Sequence, residues 1–219
     1  ERVNLFQLHT AVTNERGTMR GSISLDDVLG DNGVIAGFER LREQRLCDFF
    51  GFTGFGDTNC IHQMIESGHF DSVQTYHNLL NPSAGRPVPD GFSAHDYGNM
   101  IGLAQERGVG ILNIRVLAAG AVVGVQNAGP AAGLSPGSGG EADFLRAQKV
   151  NAALGDQEGT PAQTAIRFAL MNPGVSGALV GFGQLDHIDE AVAAVDMGPL
   201  SDDVMKQLDA LYASDFSTA

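Results

Sequence analysis

Short apolar runs rich in β-branched and aromatic residues recur along the chain, separated by stretches in which apolar positions return every three or four residues. Residues 3–8 (VNLFQL), 48–53 (DFFGFT), 70–76 (FDSVQTY), 109–116 (VGILNIRV) and 176–182 (SGALVGF) each predict one short buried strand. Between them, residues 33–45 place Val34, Ile35, Phe38 and Leu41 at helical spacing. Two further helices are expected after Asp57 and Ser93, ending at Gly68 and Gly108. Residues 141–154 and 161–171 predict two more, the second capped by Thr160 with Pro161 at its first position. Helices over 186–194 and 201–213 close the pattern, the last opened by the cap sequence SDDV. Strand and helix alternate, which implies a parallel sheet covered by helices, an α/β fold. Residues 120–140 interrupt the alternation: they are rich in Gly, hold two Pro and no charged residue, and predict a mobile surface loop.

A chain of 219 residues forms one domain with a substantial core, yet a closed (β/α)8 TIM barrel typically needs about 250. Five β/α units make about five-eighths of such a barrel, with roughly 90 to 110 residues of three units unaccounted for. The expectation is therefore a single domain over residues 1–219, the C-terminal portion of a barrel. No apolar run approaches the roughly 20 residues of a membrane span, and the opening ERVNLFQLHT is not a secretory signal, so a cytoplasmic protein is expected. A formal charge of -13 argues against nucleic acid and anionic membranes, both of which need a basic face. Cys47 and Cys60 form neither a disulfide framework nor a paired metal site, and His62, His69, His77, His95 and His187 show no metal-ligand spacing, so no metal is expected. Small molecules remain as ligands.

Active-site residues of a β/α barrel come from the carboxyl ends of its strands and the loops that follow. Those positions hold His9, then Thr53 and Gly54, then Gln74 with Tyr76 to Asn78, then Arg115 to Gly120, then Gly181 to Gln184. A hydroxyl and a side-chain amide, as in Thr53 and Gln74, can each donate and accept, and His9 at a strand end can donate to a substrate oxygen. On the residues alone, Thr53 and Gln74 could equally satisfy strand-end backbone groups, Arg115 could form a salt bridge, and Gly181 with Gly183 could make a tight turn.

Taken in order, VNLFQLH, GFTGFG, SVQTYHNLLNP, ILNIRVLAAG and LVGFGQLDHIDEAV resemble the aldo-keto reductase family from its fourth strand to its C-terminal helix, over residues 1 to about 213. The resemblance implies a nicotinamide-dependent oxidoreductase that reduces an aldehyde or ketone, or oxidises the matching alcohol, with NADP or NAD as cofactor. It implies His9 as a catalytic residue. Thr53, Gly54 and Gln74 fall at the nicotinamide carboxamide, and Arg115, Leu117 and Gly120 at the pyrophosphate. Gly181, Gly183, Gln184 and Glu190 fall at the adenosine end. The sequence departs from the family where Gly54 replaces a common Asn, Ile114 and Arg115 a common Tyr and Ser, and Ala191 an Asn that contacts adenine. The family's Asp, Tyr and Lys lie on units preceding His9, and none of Tyr76, Tyr97, Tyr212, Lys149 and Lys206 stands in their context. That gap keeps open a non-catalytic scaffold of the same fold, or an inactive fragment. A phosphate-binding isomerase or aldolase barrel fits the architecture but not the order of His9, Thr53 and Gln74.

Overall fold

The computed structural model describes residues 2–126, 140–155 and 158–217. Five strands follow one another in a single sheet: β1 (Val3–Leu8), β4 (Cys47–Thr53), β5 (Ser72–Tyr76), β6 (Gly110–Ile114) and β7 (Gly177–Ala178). β1 pairs with β4 and β4 with β5 in parallel register, as the β/α alternation predicts. Two additional strands of two residues, β2 (Val12–Thr13) and β3 (Ile23–Ser24), pair with each other apart from this sheet. The contacts divide the chain into two compact units, Glu1–Thr75 with Met100–Leu112, and Tyr76–Asn99 with Asn113–Ala219.

In the first unit, α2 (Val34–Glu43), α3 (Thr58–Glu66) and α4 (Met100–Glu106) accompany the strands. The core is aromatic: the Phe38 ring lies against Phe6, Phe50 and Phe70, and Phe70 also meets Phe52. Phe50 and Phe52 are fully buried on one face of β4, whereas Phe49, at the other face's outer end, is 53% exposed. The first unit also contains an unexpected helix, α1 (Leu25–Leu29). Five residues are too few to show a helical period. What fixes it is a capping box in which the Ser24 hydroxyl accepts from Asp27 N–H and the Asp27 carboxylate accepts from Ser24 N–H. Arg16 pairs with the same carboxylate and, together with the two Ser24 hydrogen bonds, holds it well below the usual range.

α4 begins at Met100, well after the expected cap at Ser93. In the second unit the intervening residues are tied to Asn81 and Ser83 instead: Asn81 Nδ2 and the Ser83 hydroxyl donate to His95 O, and Tyr97 N–H donates to Ser83 Oγ, with Asn81 and Ser83 themselves set by turns. Asn78 Oδ1 accepts from the backbone of Leu80 and Asn81, and Asn81 Oδ1 accepts from Ser83. Ser93 itself bonds Asp215 and receives a bond from Arg146, so its hydroxyl is not available as a cap.

The second unit is otherwise helical. α5 (Glu141–Leu154), α6 (Pro161–Met171), α7 (Asp186–Asp196) and α8 (Asp202–Ala213) close around Leu79, Leu80, Val116, Ala165, Ala169 and Leu208. α6 starts at Pro161 behind Thr160, whose hydroxyl accepts from Gln163 N–H, and α8 starts behind the Ser201 hydroxyl in the same way. Arg167 is buried because its guanidinium ties down three carbonyls, those of Gly198, Pro199 and Glu158. The expected loop over 120–140 begins with order: Ala118–Val123 is a 3-10 helix whose Ala121 and Val122 are buried. Residues 127–139 of that loop lie outside the described residues.

Candidate functional site

Strand register decides what meets at the ends of β1, β4 and β5 in the first unit. Gln7 lies opposite Gly51 and Gly51 opposite Ser72, while Thr53 lies opposite Gln74. Because strand side chains repeat every two residues, Gln7 and His9, Gly51 and Thr53, and Ser72 and Gln74 share one face. A polar chain results. His9 Nδ1 is 2.8 Å from Thr53 Oγ1, the Thr53 hydroxyl donates to Gln74 Oε1 at 2.9 Å, and Gln74 Nε2 donates to Gln7 Oε1 at 3.0 Å. Thr53 is buried, Gln7 and Gln74 are half-buried, and His9 is exposed at the end of the chain. Three of the four residues expected at the carboxamide and the substrate, His9, Thr53 and Gln74, thus converge through their side chains.

Gly54 continues this arrangement through its backbone. Its N–H donates to Gln74 O at 2.8 Å, and a Cβ there would come within 2.8 Å of the same carbonyl and 2.9 Å of Met100 Sδ. A side chain at this position, the common Asn included, would collide with the strand next to it. Gly54 therefore contributes close approach of the backbone rather than a side-chain contact.

The other expected positions belong to the second unit. Arg115 adopts a left-handed backbone, φ 58°, and lines a cavity of about 30 Å³ with Tyr76, Asn78, Asn81 and Tyr97. Burial pushes the Tyr76 phenol up to about 12, partly offset by the charge and hydrogen bond of Arg115. The Tyr76 and Tyr97 rings stack at 5.6 Å. Leu117, Gly181 and Glu190 line a larger cavity of about 260 Å³ with Val123, Thr160, Ile166 and His187. Glu190 accepts the Thr160 hydroxyl at 2.5 Å, and Gly183 N–H points to His187 Nδ1 at 3.4 Å. Gln184 is exposed and Gly120, φ 91°, forms part of the 3-10 turn, where a Cβ would press on Val125.

Gln7 and Asn113 are absent from the positions expected at the site, and Thr160 and His187 carry no site role in the sequence beyond a helix cap and a histidine without metal-ligand spacing. Gln7 had a signal, its position two residues before His9 on the same strand face. Asn113, fully buried, clasps the His77 backbone by accepting from its N–H at 3.0 Å and donating to its carbonyl at 2.8 Å. Burial lowers His77 to about 4, and Arg86 contributes in the same direction. Among the described residues no three His, Cys, Asp or Glu side chains are grouped to hold a metal ion, and no helix is long and apolar enough to cross a membrane.

The sequence profile described as Aldo/keto reductase family matches residues 1–213. No curated protein matches the chain. Similar solved structures include the aldo-keto reductase AKR11C1 from Bacillus halodurans in its holo form, at 19% identity and a TM-score of 0.64, and in its apo form, at 17% and 0.66. Each comparison covers 96% of this chain but only 61% and 62% of the neighbour, so the chain spans about three-fifths of the length of these structures. At that identity the likeness shows the fold: an α/β architecture making up part of a TIM barrel.

Proposed function

Because the chain belongs to the aldo-keto reductase family, we propose that it is part of a nicotinamide-dependent oxidoreductase that interconverts an aldehyde or ketone and its alcohol. The observation that carries this reading is the contact of His9, Thr53 and Gln74 at the ends of three neighbouring parallel strands. A nicotinamide, when bound, supplies the hydride. Thr53 and Gln74 have the donor and acceptor set that a carboxamide needs, and Gly54 lets the backbone come close beside them. His9, held through Nδ1, offers Nε2 to a substrate oxygen.

In the second unit, the 260 Å³ cavity has mostly apolar walls and one carboxylate, that of Glu190. Its size and lining suit a flat heteroaromatic ring, which supports the adenosine role given to Gly181 and Glu190, with Gly183 and Gln184 beside it. For the pyrophosphate role Arg115 brings a charge, and Leu117 and Gly120 shape the 3-10 turn that follows it, the Gly120 N–H donating to Leu117 O.

The general acid of the family comes from the units that the resemblance places before His9. Tyr76 and Tyr212 are buried with phenols held far above neutrality, Lys149 binds the Phe216 carbonyl, and Lys206 pairs with Asp203. A general acid generally contributes about 10²- to 10⁴-fold, so these 219 residues alone are expected to turn over a carbonyl slower by about that factor than a barrel holding the acid. Titrating the purified chain with NADH and NADPH by fluorescence tests the reading. Saturable binding weakened at least fivefold by Thr53→Val is expected, and binding indifferent to that substitution sinks the carboxamide assignment. Steady NAD(P)H oxidation lost in His9→Ala would show instead that the proton donor lies within these residues.

A further inference from the structure

We propose that Gln7 is a positioning residue that decides which nitrogen of His9 carries the proton. Hydrogen bonds along His9, Thr53, Gln74 and Gln7 run through one hydroxyl and two primary amides, so each donor fixes the direction of the next. In one direction Gln74 donates to Gln7, Thr53 donates to Gln74, and Thr53 accepts from His9, which places the proton on Nδ1. Nε2 of a neutral ring is then an acceptor and has nothing to donate to a carbonyl.

Among the described residues, that direction leaves the buried Gln7 Nε2 without an acceptor, and the buried Ser72 Oγ beside it also has no partner. Both surround the bare α-carbon of Gly51, where a Cβ would come within 2.8 Å of Gln7 Nε2 and 2.3 Å of Ser72 Oγ. The register that sets Gln7 opposite Gly51 and Gly51 opposite Ser72 makes this polar gap. An amide keeps its shape when its oxygen and nitrogen change places. Turning both amides over puts the Gln7 oxygen in the gap, facing a hydroxyl that lacks an acceptor. An under-satisfied carbonyl oxygen is tolerated there better than an orphaned N–H. Gln7 then donates to Gln74, Gln74 donates to Thr53, and Thr53 donates to His9 Nδ1. The proton of the neutral ring moves to Nε2, the nitrogen left free at the exposed end. The Gly51 gap, two residues before Thr53 on β4, thereby makes His9 a donor.

The inference extends the proposed role of His9, but the tautomer is read without turnover or cofactor, so the two readings fail separately. Long-range ¹H–¹⁵N spectra of the full chain, with ¹⁵N-labelled histidine at about pH 8.5, roughly two units above an ordinary histidine, distinguish the tautomers directly. The expected result is His9 protonated on Nε2. Gln7→Glu places an acceptor-only carboxylate at the start of the chain, forces Gln74 to donate toward it, and reverses the preference to Nδ1 by at least tenfold, about 1.4 kcal/mol. Gln74→Glu, whose two oxygens accept from Gln7 and Thr53, gives the same reversal and serves if the first variant does not fold. A wild-type ring protonated on Nδ1, or a folded Glu variant with the wild-type tautomer, overturns the proposal. A merely structural Gln7 would change stability and leave the nitrogen signals where they were.

Discussion

His9 Nδ1 and Thr53 Oγ1 are 2.8 Å apart although 44 positions separate them in the chain. The contact exists because β1 and β4 are parallel neighbours whose registers carry both residues to the same end. Thr53 bridges His9 and Gln74, so removing its hydroxyl leaves two polar groups facing a methyl. Thr53→Val, which keeps the shape, is expected to destabilise the chain by about 1 to 3 kcal/mol, whereas Thr53→Ser should cost much less. Urea midpoints for the two variants decide it, and equal midpoints contradict the bridging role.

Asn113 answers to the same logic in the second unit. It satisfies both backbone groups of His77 from a fully buried position. Asn113→Ala should cost roughly 2 to 4 kcal/mol, more than a typical single substitution, because a buried N–H and a buried C=O lose their partners together. A loss below about 1 kcal/mol in the same urea assay would mean that another group replaces the clasp.

His77 gives an acid-sensitive term of known sign. Its folded pKa, about 4, lies below the ordinary value of 6.5 because burial disfavours the charged ring. Between those values the unfolded chain binds the extra proton, so the stability from neutral His77 is complete above about 6.5 and is lost as pH falls toward 4. Below 4 both states are protonated and the term stops changing. The window is on the order of 3 kcal/mol wide. His77→Phe, which retains a ring against Phe168 (5.0 Å between ring centres in the parent), should lose less stability between pH 7 and pH 4.5 than the wild type. Parallel pH profiles from urea denaturation would contradict this.

Most elements were legible because their periods are long enough to see. The strand at 3–8 and the helices at 141–154 and 161–171 coincide with β1, α5 and α6. What escaped was structure fixed by single side chains. α1 rests on Ser24 and Asp27, and the non-helical path of residues 95–97 on their bonds to Asn81 and Ser83. Within the candidate site, strand ends were enough to bring His9, Thr53 and Gln74 forward. Gln7 was not, since its importance depends on lying opposite Gly51, and register between strands is written in pairing rather than in either strand alone. Arg115 is a further case: its left-handed backbone and its bond to Tyr76 are consequences of the turn, not of its charge.

Apolar surface in the second unit carries another expectation. Ile188, Val192 and Val195 form a stripe on α7, with Val192 and Val195 each 60% exposed, beside an open apolar groove of about 380 Å³ that Phe182 also lines. Surface of this kind binds hydrophobic dyes and promotes self-association. Replacing Val192 by Glu and Val195 by Lys should at least halve dye fluorescence without lowering the unfolding midpoint. Unchanged fluorescence would place the dye elsewhere, for instance on Val3, Leu5 and Phe49 of the first unit, which are also exposed.

Cofactor choice can be argued from the cavity beside Glu190. A 2′-phosphate needs cationic donors, and no Lys or Arg lines this cavity or occurs between Arg167 and Lys206. α7, which supplies Glu190, also carries Asp186, Asp189 and Asp196. Glu190 keeps its carboxylate at the cavity by accepting the Thr160 hydroxyl, so a phosphate placed there meets a fixed negative charge. The adenosine end of this chain is therefore expected not to favour NADP over NAD. The fragments 5′-AMP and 2′,5′-ADP probe that end without the nicotinamide, and calorimetric titration of the chain should find 2′,5′-ADP no tighter than 5′-AMP. Glu190→Gln keeps the acceptor for Thr160 but removes the charge. A unit charge pair at about 6 Å in water-like surroundings is worth about 0.7 kcal/mol, so the variant should improve 2′,5′-ADP relative to 5′-AMP by roughly threefold. Wild-type binding of 2′,5′-ADP at least tenfold tighter than of 5′-AMP, with Glu190→Gln making no difference, would show that a cation outside this cavity reads the phosphate.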